Sequence, residues 1–140
     1  MHDSLERFRK AQRNSYKTAL QEIRAGRKQS HWMWYIFPQI AGLGRSETAQ
    51  YYAIRDRREA EEYLKDPVLG RNLLEICGAL LELDCDDAAA VMGWPDDLKL
   101  RSSMTLFALI RPECGVFQKV LDKFYGGEKD LKTVELLGMQ

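Results

Sequence analysis

A histidine and a dense set of aromatic rings share the stretch Ser30-His31-Trp32-Met33-Trp34-Tyr35-Ile36-Phe37-Pro38-Gln39, which holds two of the three tryptophans and one of the two histidines of the chain. His31 is the residue there that can take up and release a proton near neutrality, so it is the candidate general acid or base. Trp32, Trp34, Tyr35 and Phe37 offer flat faces on which a planar ligand could stack; the same rings could equally plug a core between helices. Gln39 closes the stretch and joins Trp32 and Trp34 as a ligand-binding candidate. No metal is expected, because the position four residues after His31 is Tyr35 and no local second ligand stands near.

Two further stretches carry polar groups that chemistry could use. Gly42-Leu43-Gly44-Arg45-Ser46 leads into a helical pattern. Backbone N–H groups of such a loop can hold an anion, with Arg45 as a charge clamp; the plainer alternative is a turn whose Ser46 caps the helix. It is neither a phosphate-cradling loop of the Walker type nor a dinucleotide fingerprint. Asp96, Asp97, Lys99, Arg101, Ser102, Ser103 and Thr105 form the second group. A lysine beside hydroxyls can serve nucleophilic chemistry or phosphate binding. Ser102 and Ser103 fit a helix interior poorly on propensity, although small residues also let helices pack closely.

Length and charge narrow the class. A chain of 140 residues has the size of one domain with a core of its own. It is 45% hydrophobic and 30% charged, the ordinary globular range. Lys+Arg and Asp+Glu are 21 each, so the formal net charge is zero and no nucleic-acid partner is expected. Arg7, Arg9, Lys10, Arg13 and Lys17, followed by Arg24, Arg27 and Lys28, could form a basic stripe; the interleaved Asp3, Glu6 and Glu22 favour a solvated helix face. Cys77, Cys85 and Cys114 are widely spaced, without a zinc-type cluster, which fits reduced thiols in a cytoplasmic protein. The charged start is not that of a signal peptide, and no apolar run approaches a membrane span.

The elements that must position these residues read as helices. Leu5, Phe8, Gln12, Tyr16, Ala19 and Ile23 share one face of a helix over residues 3–25, with Ser4 or Asp3 as cap and Gly26 as terminator. Ser30 could cap a helical turn across residues 31–37, and a short buried strand fits nearly as well. Helices follow over residues 47–54 and 58–65. After the Asp66-Pro67 start, Leu69, Leu73, Ile76, Leu80 and Leu83 mark the cleanest core helix, where Gly78 suggests close packing of a neighbour. A short helix after Asp87, another from Trp94-Pro95 to Arg111-Pro112 with an inner face of Leu100, Met104, Phe107 and Ala108, a further one around Phe117–Phe124, and a last short one after Asp130 complete the chain. The expected fold is all-α: one compact multihelical domain over residues 1–140 with about seven or eight helices.

Ser30–Gln39, Gly42-Leu43-Gly44 with Ser46, Pro67–Gly70, Lys99–Phe107 and Phe117–Tyr125 together resemble an uncharacterised, largely bacterial domain family whose members are often labelled "calpastatin". The resemblance covers nearly the whole chain and implies a compact helical protein with no established activity and no catalytic residue to transfer. Calpain inhibition is not carried across, since an inhibitor of that kind is a long disordered chain that folds on its target, and this chain has a periodic core and short loops.

The expectation is therefore a pocket built by His31–Gln39 and the Gly42–Ser46 loop and closed by Lys99–Ser103. Its ligand would be small and polar or anionic, possible examples being nucleotide-like, with no cofactor. His31 would act as acid or base, and Lys99 or Arg45 would stabilise charge. Two alternatives stand beside it: a non-catalytic protein-interaction module that exposes the aromatic stretch, and a scaffold in which the aromatics are only core. The oligomeric state is left open.

Overall fold

Phe8, Gln12, Ala19, Leu20 and Ile23 lie on one face of the first helix, α1 (Glu6–Arg24), and all are buried. Apolar groups at that spacing leave water together only when the segment is helical, so one pattern sets both the helix and its inner face. The fold is that of a computed structural model, which describes residues 4–139. Gly26 takes the left-handed conformation (φ +85°) just past the helix, the turn a side chain would resist. Of the two expected caps of α1, Ser4 instead sends its Oγ to Glu59 Oε2 (2.6 Å) across the fold, and Asp3 lies outside the described residues.

The chain continues through α2 (Met33–Ile36), α3 (Glu47–Tyr51), α4 (Arg57–Lys65), α5 (Leu69–Glu82), α6 (Ala88–Met92) and α7 (Asp96–Ile110). A 3-10 turn (Pro112–Cys114), α8 (Val116–Tyr125) and α9 (Leu131–Gly138) complete it. The architecture is all-α, with nine helices among the described residues where seven or eight were expected; the brief α2, left open between a helical turn and a strand, stands as a helix of its own. Ser30 does not cap α2: Trp32 occupies the cap position without a side-chain bond, and Ser30 serves Glu22 instead. α3 stops at Tyr51 rather than residue 54. Ile54 leaves the helix because its N–H donates to the Gln39 carbonyl (2.8 Å) while its own carbonyl accepts from Ala41 N–H (2.8 Å), an isolated parallel bridge. That bridge closes residues 41–53 into a loop whose helix α3 buries no residue.

α7 lies at the centre, packed against α4, α6, α8, α9 and the 3-10 turn, while α5 rests on α1, α4 and α8. Leu100, Met104, Phe107 and Ala108 are buried as expected, but so are Ser102, Ser103, Thr105 and Leu106. Over residues 102–108 every side chain of α7 is buried, so its small polar residues there have no solvent face. Gly78 has open space where a Cβ would be, so it marks no close approach. Gly70 does: a Cβ there would sit 2.2 Å from the Leu64 carbonyl oxygen, and only glycine lets α5 start against the end of α4.

Buried polar groups tie the helices together. Gln12 Nε2 donates to the Tyr35 carbonyl (2.8 Å) and to Tyr63 Oη (3.0 Å), and its Oε1 accepts from Asn72 Nδ2 (2.9 Å). One α1 side chain thus joins α2, α4 and α5. At the far end of α5, Lys123 Nζ of α8 donates to the carbonyls of Leu80 (3.0 Å), which also accepts from Leu83 N–H (3.3 Å), of Leu81 (3.1 Å) and of Leu83, the carbonyls at the helix end. Lys123→Met should keep the aliphatic packing and lose these bonds, lowering stability by about 1–3 kcal/mol in urea denaturation; an unchanged midpoint would show that water replaces the ammonium at no cost.

Candidate functional site

The Ser30–Gln39 stretch is held by a single carboxylate. Glu22 Oε1 accepts from Gln29 N–H (2.7 Å), Ser30 N–H (2.9 Å) and Trp32 Nε1 (2.9 Å), and Oε2 accepts from Ser30 Oγ (2.5 Å). Burial by itself would raise the Glu22 pKa; the hydrogen bonds from Ser30, Gln29 and Trp32 outweigh it and bring the carboxyl down to about 2. The ionised form is therefore the one the fold stabilises. Its contribution is complete above the unfolded value near 4.5 and is lost as pH falls towards 2. Glu22→Gln should cost about 1–2 kcal/mol at pH 7 after allowance for solvent screening. The cost should shrink towards zero near pH 2, where the natural side chain also becomes neutral. Urea titrations at the two pH values check this, and a cost that does not change with pH would rule out the carboxylate's charge as the cause.

Trp32 is buried to 1% exposure, with its ring tilted against Phe37 (centroids 6.2 Å apart). Its indole N–H faces Glu22, and Lys28 Nζ lies 5.0 Å from its ring centroid. Lys28 also donates to the Ser30 carbonyl (2.6 Å) and pairs with Asp96 Oδ2 (2.8 Å) at the first turn of α7. The other Asp96 oxygen meets Lys99 Nζ at 3.4 Å, and Lys99 in turn lies 5.3 Å from the Trp34 ring centroid. One aspartate thus links two lysines, each set over a tryptophan of the aromatic stretch. Of the four aromatics of that stretch, Trp32 and Phe37 are core, beside Met33 and Ile36, while Trp34 and Tyr35 are half-buried.

His31 is exposed and lines an open cleft of about 100 Å³ between α1 and the aromatic stretch, together with Asn14, Ser15, Thr18, Ser30, Trp32 and Tyr35. Tyr35 Oη donates to Ser15 Oγ (2.8 Å) and to the His31 carbonyl (3.4 Å). Asn14, Ser15 and Thr18 come from the middle of α1 and drew no notice in the sequence, because polar residues on an exposed helix face are unremarkable there. Their signal was phase: residues 14 and 18 lie one turn apart on one side of the helix.

The other expected site residues fall elsewhere. Trp34, Gln39 and Gly44 do come together, with Ile40, Ala49, Tyr52 and Ala53, but around a space of about 10 Å³, room for a single water. Gly44 is needed there for packing rather than for an anion, since a Cβ would lie 2.4 Å from the Ala49 Cβ. Ser46 Oγ accepts from Ala49 N–H (3.1 Å) as the cap of α3, and Arg45 is exposed, its carbonyl accepting from Gln50 Nε2 (3.0 Å). Lys99 adjoins Trp34 and is not among the residues lining the His31 cleft. Ser102 and Ser103 leave the candidate list, because α7 is central. Ser102 Oγ donates to Asp130 Oδ2 (2.9 Å) and so fastens α9 to α7, and Ser103 is wholly buried. The thiols are free, and burial pushes that of Cys77 far up, which makes it inert. Among the described residues no cluster of histidine, cysteine or carboxylate side chains could hold a metal, and no helix is long and apolar enough to cross a membrane. The tryptophan most open to solvent is Trp94, 78% exposed, outside the aromatic stretch.

A family profile described as "Protein of unknown function (DUF1810)" matches residues 2–137. The crystal structure of the conserved hypothetical protein Rv1873 from Mycobacterium tuberculosis superposes with a TM-score of 0.95 at 44% sequence identity, over 97% of each chain. No curated protein matches.

Proposed function

The chain belongs to the DUF1810 family of proteins of unknown function, and from that premise we propose that it binds a small, polar, oxygen-rich ligand in the cleft between α1 and His31. The observation that carries this reading is the cleft's lining. Asn14, Ser15, Thr18, Ser30, His31 and Tyr35 present amide, hydroxyl and imidazole groups to one opening of about 100 Å³. Among the described residues the side chains of Asn14, Thr18 and His31 make no hydrogen bond, the His31 carbonyl alone accepting from Tyr35 Oη (3.4 Å), so those side chains remain available to a ligand. Trp32 and Glu22 hold the wall behind them rigid. His31 is the group there able to move a proton, should the ligand be a substrate. Lys99 and Arg45 fall outside the proposal, Lys99 because Asp96 and Trp34 occupy it.

A bound ligand is expected to shift the backbone NMR signals of residues 14–18 and 30–32 in a screen of neutral sugars and sugar phosphates. His31→Ala and Thr18→Val should each weaken a hit about tenfold, equivalent to about 1.4 kcal/mol, while leaving the melting temperature unchanged. A panel that moves no signal in the cleft, or hits indifferent to both substitutions, would defeat the reading. The interaction-module alternative has less behind it, because the stretch it would expose is mostly core. A packed helical chain also speaks against the calpastatin label, and this reading places the protein in the cytoplasm, where its thiols stay reduced.

A further inference from the structure

We infer that the ligand of the α1 cleft carries a phosphate-type oxyanion, drawn by the lysine pair Lys10 and Lys17 and seated on the cleft's hydroxyl and amide donors. The inference rests on the cleft being the ligand site. Its charge argument is local, because the chain as a whole is neutral. On a helix surface the neighbours of a residue stand three and four positions away, with Cβ atoms about 5–6 Å apart. For Asn14, which lines the cleft, the neighbours four before and three after are Lys10 and Lys17. Both lysines are exposed, and neither has an ion-pair partner among the described residues. Their flexible stems let the ammonium groups reach over the rim of the cleft.

Negative charge nearby is already engaged. Glu22 is taken up by four donors of its own, and Glu6 on α1 pairs with Arg13 (2.8 Å). An arriving anion therefore meets two lysines without an ion-pair partner among the described residues, while Glu75 of α5, the carboxylate beside Tyr16, accepts from Tyr16 Oη (2.6 Å). Inside, the Ser15 and Thr18 hydroxyls and the Asn14 amide, all on residues lining the cleft, are groups able to donate. A space of about 100 Å³ takes a tetrahedral oxyanion, and any sugar attached to it would extend past His31 into solvent.

The test is NMR titration of the full chain with ribose, inorganic phosphate and ribose 5-phosphate at constant ionic strength, repeated on a Lys10→Gln/Lys17→Gln variant. Both substitutions are on exposed side chains, so folding is retained. Ribose 5-phosphate should bind at least tenfold more tightly than ribose, and the variant should lose that preference while its affinity for ribose stays the same. Comparison with inorganic phosphate separates a bare oxyanion site, where the two phosphates bind alike, from a sugar-phosphate site, where the ester binds more tightly; either supports the inference. If ribose and ribose 5-phosphate bind equally, or the variant keeps the preference, the oxyanion inference falls and the cleft reading stands. If none of the three moves signals of residues 14–18 or 30–32, the oxyanion inference falls, and the wider screen then decides the cleft.

Discussion

Glu59→Ala should lower stability by about 3–5 kcal/mol, enough to reduce the melting temperature of a chain this size by about 10 °C or more. The side chain is 5% exposed and pairs with Arg7 Nη2 at 3.0 Å; it also accepts from Ser4 Oγ (2.6 Å) and Arg55 N–H (3.0 Å). Arg7, itself 9% exposed, donates further to the carbonyls of Tyr51 (2.8 Å), Ala53 (2.8 Å) and Ser4. One buried ion pair therefore joins the start of α1, the returning limb of the 41–53 loop and the first turn of α4. Removing the carboxylate leaves a guanidinium stranded out of water, which is why the expected cost exceeds that of an ordinary hydrogen bond.

The pH dependence follows from the same contacts. Burial would raise the Glu59 pKa, but Arg7, Ser4 and the Arg55 N–H outweigh it and the carboxyl lies below its usual value. The stabilisation is present above the unfolded value near 4.5 and disappears as pH falls through the lower folded value. Calorimetry should thus show the natural chain losing stability on acidification more steeply than the Glu59→Ala variant. A double variant, Arg7→Met with Glu59→Leu, should recover part of the loss, because no charge is stranded. Recovery should stay partial, since the Tyr51 and Ala53 carbonyls lose their donor. A single-variant cost under about 1 kcal/mol, the range of exposed pairs, would refute the buried-pair account.

Asp96→Asn is expected to cost about 2–3 kcal/mol, somewhat less than a fully buried pair, because Asp96 is 19% exposed and Lys28 keeps the Ser30 carbonyl and the Trp32 face. The aspartate neutralises two lysines, and both lie over tryptophans of the aromatic stretch. The loss should therefore appear both in urea denaturation and as a change in tryptophan emission. Adding Lys28→Met to Asp96→Asn should make the double variant more stable than the sum of the single costs implies. Additive costs would mean that Lys28 and Asp96 do not depend on each other.

Periodicity made much of the helical fold legible. Apolar residues of α1, α5, α7 and α8 recur every three or four positions, and burying them requires helices in those places and faces them inward. Local chemistry also set ends that need no distant partner: Ser46 caps α3, Asp56 caps α4 with Oδ1 accepting from Glu59 N–H, Asp130 caps α9, and Gly26 ends the region of α1. His31 could be singled out because its residue type alone offers a general acid or base.

What lies around those residues was decided by tertiary structure. Whether Trp32 stacks on a ligand or fills the core depends on Glu22, ten residues earlier, and on Lys28 beneath its ring. Whether Ser102 and Ser103 face a pocket depends on how many helices surround α7, and no window within α7 records its neighbours. Gly44 reads as an anion loop until Ala49 is seen against it, and Lys99 reads as a catalytic group until Asp96 and Trp34 are found to hold it. The sequence by itself determined helix positions, inner faces and many of the caps, because these depend on interactions within a few residues. The cleft at His31, the lysines beside it and the fate of the aromatic stretch were decided only when α1 was laid against residues 30–35, since a site is a relation between surfaces distant along the chain.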